Sequence, residues 1–172
     1  MTLPREMEDG TDLDDLFRAH YGRITRVIGR VIQDQARAEE LAVEVFLKWS
    51  RKSGVRGEQT QGWLYRTAVR EALDELRRYS RRSRFERLFA SFRQAPRTPE
   101  ELQVSDSEQQ NVRRVFGVLR RRDTAILLLW GEGMSYQEMA SALEVKPSYV
   151  GSLLSRAQDA FRKEYVSRYG ER

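Results

Sequence analysis

The sequence has no cysteine and a single histidine, His20, among its 172 residues. Disulfides and thiolate metal sites are thereby excluded, and a His-rich metal centre or a His pair has no second member. No metal or other cofactor is expected. Proline and glycine are also scarce, at 4 and 11 residues, which removes the collagen-like and low-complexity classes. No apolar run approaches the roughly 20 residues that span a bilayer. The acidic beginning MTLPREMEDGTDLDD lacks the basic-then-apolar order of a signal peptide. The expected location is therefore cytoplasmic, with no membrane insertion. What is present is 40% hydrophobic and 33% charged residues, the mix of a folded, charge-rich helical protein.

The net charge of +5 is modest but unevenly distributed. Residues 63–93 hold nine arginines against four acids, whereas the first fifteen residues hold six acids against one arginine. A localised basic segment suits a polyanion such as nucleic acid, although a solvated arginine-rich helix face is the commoner meaning of a charge run.

Helical periodicity runs through almost the whole chain. Leu13, Leu16, Phe17, Tyr21, Ile24, Val27, Ile28, Val31 and Ile32 form one continuous stripe, with Thr11 or Asp12 as the expected cap and His20 on its edge. Asp34 can cap a second helix whose inward stripe is Ala38, Leu41, Ala42, Val45, Phe46 and Trp49. Three glycines in RKSGVRGEQTQG predict a loop over 53–62. A third helix follows in WLYRTAVREALDELRRYSRR, and FERLFASF suggests a fourth by about Arg93.

The composition then shifts in QAPRTPEELQVSDSEQQ, which marks a domain boundary. Thr98 with Glu101 and Ser105 with Glu108 offer helix starts there. Beyond it lie Val112, Val115, Phe116 and Leu119 on one helix, then Ile126, Leu127 and Trp130 on another ending at Gly131 or Gly133. MSYQEMASALEVKPSYVGSLLSRAQ reads as two short helices joined by a tight turn. Ser135 and Glu138 form a capping box, and Tyr136, Met139, Ala140 and Leu143 face inward. Pro147 opens the next helix, with Val150, Leu153, Leu154, Ala157 and Phe161 on the core face. No strand pattern and no internal repeat is visible. The expected fold is all-α: two small helical domains joined by a linker, the second containing a helix-turn-helix.

No phosphate-binding glycine loop, nucleophile-base set or metal-spaced carboxylates can be found. Glu39 and Glu40, adjacent on a helix, point about 100° apart, a poor arrangement for shared acid-base work. The chain is therefore not expected to be an enzyme. Binding chemistry is better represented. Trp63, Tyr65, Arg66 and Arg70, then Arg77, Arg78, Arg81 and Arg82, place aromatic and guanidinium groups on one helix. Such groups stack on unpaired bases and hold a backbone. A core position is as ready a reading of Trp63 as a binding one, and a less ready reading of Tyr65.

The order of three segments carries a family resemblance. AEELAVEVFLKW, then WLYRTAVREALDELRR, then LRRRDTAILLLWGEGMSYQEMASALEVKPSYVGSLLSRA resembles the extracytoplasmic-function (group IV) sigma factors, over about residues 12–165. The resemblance implies a promoter-specificity subunit of bacterial RNA polymerase, with residues 11–93 as sigma region 2, 94–105 as linker and 106–168 as sigma region 4. It implies core polymerase as partner, through the β′ clamp helices and the β subunit, with Glu39, Glu40, Leu41, Glu44 and Phe46 at the clamp contact. Carboxylates beside an exposed apolar edge suit a basic helical partner.

By the same resemblance, residues 53–82, including Trp63, Tyr65 and the arginines, read and melt the minus-ten element of promoter DNA. The helix pair reads the minus-thirty-five element with the outward residues Lys146, Ser148, Tyr149, Ser152 and Arg156. An anti-sigma factor is a further partner of many family members, and no residue here identifies one. The sequence departs from the family pattern at Val43, where Gln is common, at Arg70 (Asn) and at Glu144 (Gly). It also departs at Gly151 and Leu153, where basic residues are frequent. At Glu144 either a different turn or a modest strain is expected. The competing readings are a stand-alone helix-turn-helix regulator and a helical adaptor that binds only protein.

Overall fold

A computed structural model of the chain describes residues 8–52, 55, 57–92 and 107–170, and side chains within 13–52, 55, 57–82 and 108–170. Among the described residues there are seven α-helices and no strand: α1 (Glu8–Gly29), α2 (Gln35–Ser50), α3 (Glu58–Phe92), α4 (Ser107–Val118), α5 (Arg121–Gly131), α6 (Tyr136–Leu143) and α7 (Pro147–Tyr169).

Local chemistry accounts for several ends. Asp34 caps α2, its carboxylate accepting from the Arg37 amide at 3.1 Å. Ser135 and Glu138 close a reciprocal capping box on α6, with Glu138 accepting from the Ser135 amide at 2.7 Å. Pro147 occupies the first turn of α7, where a missing amide hydrogen costs nothing. Gly133, at φ 73°, turns the chain from α5 into α6.

Other boundaries differ from expectation. α1 begins at Glu8, so Thr11 and Asp12 lie inside it rather than capping it. The expected loop over 53–62 is shorter, because α3 starts at Glu58 and takes in Gly62. The expected third and fourth helices are one helix of 35 residues. Polar RRYSRRSR interrupts the apolar stripe, but it contains no proline or glycine to break the backbone. The helix starts offered by Thr98 and Ser105, and the boundary segment 94–105, lie outside the described residues.

Helices α1, α2 and α3 pack on one another through Ile24, Val27, Ile28, Ala38, Leu41, Val45, Leu64, Ala68 and Leu73, all buried. Polar ties fix α2 against α3. Arg37 on α2 reaches Glu75 on α3 at 3.2 Å, and Lys48 meets Glu71 at 2.5 Å. The Arg37 hydrogen bond lowers the Glu75 pKa and the Glu75 hydrogen bond raises that of Arg37.

In the second half Ala125, Ile126, Leu128, Leu129, Met139, Ala142, Val150, Leu154 and Ala157 are buried. Several expected core positions are not: Trp130 and Tyr136 are half-exposed, and Val112, Phe116, Leu127, Leu143, Leu153 and Phe161 are only partly covered. Leu128 and Leu129 take the core role on α5 instead. The two halves also meet, since α3 packs along α6 and touches α4 and α5, joining the buried residues into one apolar cluster.

Candidate nucleic-acid and polymerase interface

On α2, Glu39 and Glu40 are exposed and Glu44 is partly covered. Gln35 donates to Glu39 at 2.8 Å, while Arg37 lies 2.9 Å from Glu40 and 3.7 Å from Glu44. The acidic face is thus pre-ordered by its own helix. Leu41 and Phe46 are core residues, each 2% exposed, and Phe46 packs its ring against Phe17 at 4.9 Å. Neither supplies the exposed apolar edge expected beside the carboxylates. That edge is made by Val43 and Leu47, one turn apart and open to solvent. Their i, i+4 spacing outside the inward stripe was the available signal.

On α3 the two aromatic candidates part, one partly open and the other in the core. Trp63 is partly exposed, with the Lys52 ammonium 5.7 Å from its ring centre. Tyr65 is 0% exposed. Its ring stands edge-on to His20 with centroids 5.8 Å apart, and its hydroxyl lies 3.4 Å from His20 Nδ1. Burial raises the Tyr65 pKa and, together with Arg23, lowers that of His20. In this conformation Tyr65 cannot stack on a base. Arg66 is partly covered and pairs with Glu144 of the α6–α7 turn.

Arg70, Arg78, Arg81 and Arg82 are exposed along α3, and Arg77 is partly so. Between them stands Tyr79, 67% exposed and overlooked in the sequence. Its place inside RRYSRR, an aromatic with guanidinium groups on both sides, was the signal.

The helix-turn-helix assembles as expected. α6 and α7 are joined by Glu144–Lys146, and Glu144 takes the left-handed conformation at φ 56°, ψ 46°. The turn keeps its geometry without glycine and carries the strain. Lys146, Ser148, Tyr149, Ser152 and Arg156 are all exposed, while Val150 and Leu154 anchor α7 from behind and Leu153 is partly covered. Arg156 donates to the Ser152 carbonyl at 3.2 Å and so lies along its own helix. At Gly151 the Tyr136 ring lies close, and a Cβ would stand 3.6 Å from it, an ordinary contact distance that does not itself require glycine.

Part of this arrangement matches a known family. Residues 16–82, which run from α1 through most of α3, match the family model of sigma-70 region 2. The chain is similar to the ECF RNA polymerase sigma factor SigE of Mycolicibacterium smegmatis, 28% identical over 161 residues, covering 91% of this chain and 62% of that protein. It is likewise similar to the RNA polymerase sigma-H factor of Pseudomonas aeruginosa, 28% identical over 167 residues, covering 90% of this chain and 86% of that protein. The chain therefore spans less than two thirds of the length of the first relative and most of the second. The match assigns residues 16–82 to a sigma-70 region 2, and over about nine tenths of its length the chain is similar to two RNA polymerase sigma factors.

Proposed function

We propose that this chain is a sigma factor of the extracytoplasmic-function group, directing promoter-specific transcription by binding core RNA polymerase and promoter DNA. One observation carries the proposal. A region 2 match over α1–α3 stands on the same chain as a helix-turn-helix whose outward face is Lys146, Ser148, Tyr149, Ser152 and Arg156. Binding, not catalysis, is its work, and it acts in the cytoplasm.

In this proposal residues 11–93 form the polymerase-binding and melting domain, 94–105 the linker and 106–168 the minus-thirty-five reader. The clamp-helix contact uses Glu39, Glu40 and Glu44 with Val43 and Leu47, because exposed carboxylates and an apolar edge complement a basic helical partner. Trp63 and the arginines of α3, joined by Tyr79, hold the melted minus-ten strand by stacking and phosphate contact. Phosphate clamps are few on α7, so the second domain binds duplex DNA weakly alone and depends on being mounted beside the first.

Co-migration with purified core polymerase on size exclusion, run beside a gel shift of duplex promoter DNA with the chain alone, tests the proposal. A sigma factor joins core and shifts duplex weakly by itself. A dimer that shifts duplex tightly and ignores core supports a stand-alone regulator instead.

A further inference from the structure

A cleft of about 1120 Å³ opens between α1, α4, α5 and α7, and none of the proposed polymerase or promoter contacts lines it. Four arginines stand on its walls, Arg26, Arg30, Arg113 and Arg162, against one acid, Glu108. Four aromatic side chains share those walls: Phe116, Trp130, Phe161 and Tyr165.

These rings are not core. Trp130 is 50% exposed near the end of α5, and Phe116, Phe161 and Tyr165 are only partly covered. Phe161 and Tyr165, one turn apart on α7, have centroids 5.9 Å apart and planes 21° from parallel, and Phe116 of α4 meets Phe161 at 5.5 Å. Apolar ring surface left in water is unfavourable by roughly 25 cal/mol per Å², and a planar ligand laid on it recovers that free energy.

The charge around the rings is positive and only partly compensated. Arg26 and Arg30 converge on a single carboxylate, Glu132, at 2.7 and 3.3 Å, so two guanidinium groups share one negative charge. Arg30 is also held by donating to the Gly131 carbonyl at 2.6 Å, which lays it against the end of α5. Arg162 stands at an exposed position on α7. Guanidinium groups bind carboxylate or phosphate through paired N–H donors and stack on aromatic faces.

We propose that this cleft binds a small planar aromatic anion, its ring on the aromatic walls and its phosphate or carboxylate among the arginines, Arg162 included. Ligand clefts usually measure about 300–1000 Å³ and combine apolar and aromatic walls with a few placed polar groups. This one is slightly larger and has that make-up. An aliphatic ligand would leave the arginines unused, and an inorganic anion would leave the rings uncovered. The ligand site stands on this geometry alone and does not depend on the sigma-factor proposal.

Gly29 provides a way to block the cleft. It lies on the cleft wall at the end of α1, and a Cβ there would meet nothing within 4 Å. A larger side chain can therefore enter without displacing a neighbour.

Isothermal titration of the full chain with adenosine 5′-monophosphate, indole-3-acetate, adenosine and inorganic phosphate tests the proposal. At least one of the first two is expected to bind saturably with a Kd below about 1 mM. It should bind at least tenfold more tightly than adenosine, which lacks the charge, and phosphate, which lacks the ring. Preference for adenosine monophosphate assigns a phosphate-bearing ligand, and preference for indole-3-acetate a carboxylate. Gly29→Phe and Arg162→Glu are each expected to weaken that binding at least tenfold. Lys163→Glu makes the same charge change at the next position on α7, also exposed but outside the cleft, and is expected to alter it less than twofold. Saturable binding of neither aromatic anion, whatever larger partner the cleft accepts, overturns the inference. So does equal binding of inorganic phosphate, undiminished binding by Gly29→Phe, or a loss in Lys163→Glu as large as in Arg162→Glu.

Discussion

Gly62 on α3 lies directly beneath the Ser141 backbone on α6, close enough that a single methyl group would overlap its carbonyl. Two effects compete in Gly62→Ala. Helix propensity favours alanine by about 1 kcal/mol, while overpacking against a backbone costs about 1–3 kcal/mol. The overlap reaches the Ser141 main chain as well as its hydroxyl, so turning the side chain away does not relieve it and the cost wins. A lower urea midpoint, by about 1 kcal/mol, is expected. A midpoint equal to or above the parent's would show that α3 and α6 do not pack this closely in solution.

Glu144 offers the opposite change. It is the one non-glycine residue at positive φ among those described. Glu144→Gly relieves about 1 kcal/mol of strain and gives up an ion pair whose acid is 73% exposed and thus weak. The denaturation midpoint should rise, whereas Glu144→Ala, which loses the pair and keeps the strain, should lower it. A fall in both variants would mean that the Arg66 pair outweighs the turn.

Acid should loosen the fold in two stages. Burial, followed by the Arg23 charge, lowers the His20 pKa, so its contribution is fully present above its unfolded value of 6.5 and is lost as pH falls through the folded value. At Glu138 burial acts upward, but the Ser135 cap, Arg23 and Gln61 outweigh it and the pKa is lowered. At Glu75 the Arg37 hydrogen bond lowers it. Both carboxylates contribute stability above their unfolded value of 4.5 and lose it as pH falls through their folded values. Urea midpoints between pH 8 and 4 should decline first through the histidine range and again near its acid end. A flat profile contradicts these environments.

Position separates the polymerase candidates from the core. Phe46→Ala empties a core site and should cost about 3–5 kcal/mol. Leu47→Asp, at a solvent-exposed position, should leave stability within about 0.5 kcal/mol while weakening core-polymerase affinity at least tenfold. Unchanged affinity in Leu47→Asp would remove the α2 edge from the contact.

Local signals were the legible ones. Asp34, Ser135 with Glu138, and Pro147 each set a helix start through groups within three residues, and all three stand where the sequence put them. The outward face of α7 followed from periodicity in the same way. Long-range packing was not legible. Gly62 reads as a helix breaker in sequence, and only the approach of α6 explains a glycine inside α3. Trp63 and Tyr65 are both aromatic and two residues apart, and nothing local tells which is buried; α1, with His20 and Arg23 beside the Tyr65 ring, decides it. Val43 and Leu47 carried only their i, i+4 spacing off the main stripe, a weak signal beside the stronger inward stripe that drew Leu41 and Phe46 into the expected contact.

The central claim is promoter-directed initiation. Run-off transcription with purified core polymerase, on templates chosen from RNA 5′ ends that appear when the chain is overproduced, tests it most directly. The account predicts a discrete product that requires both the chain and the intact upstream sequence, reduced several-fold by Tyr149→Ala at an exposed position on α7. The absence of any chain-dependent product from all such templates would contradict it.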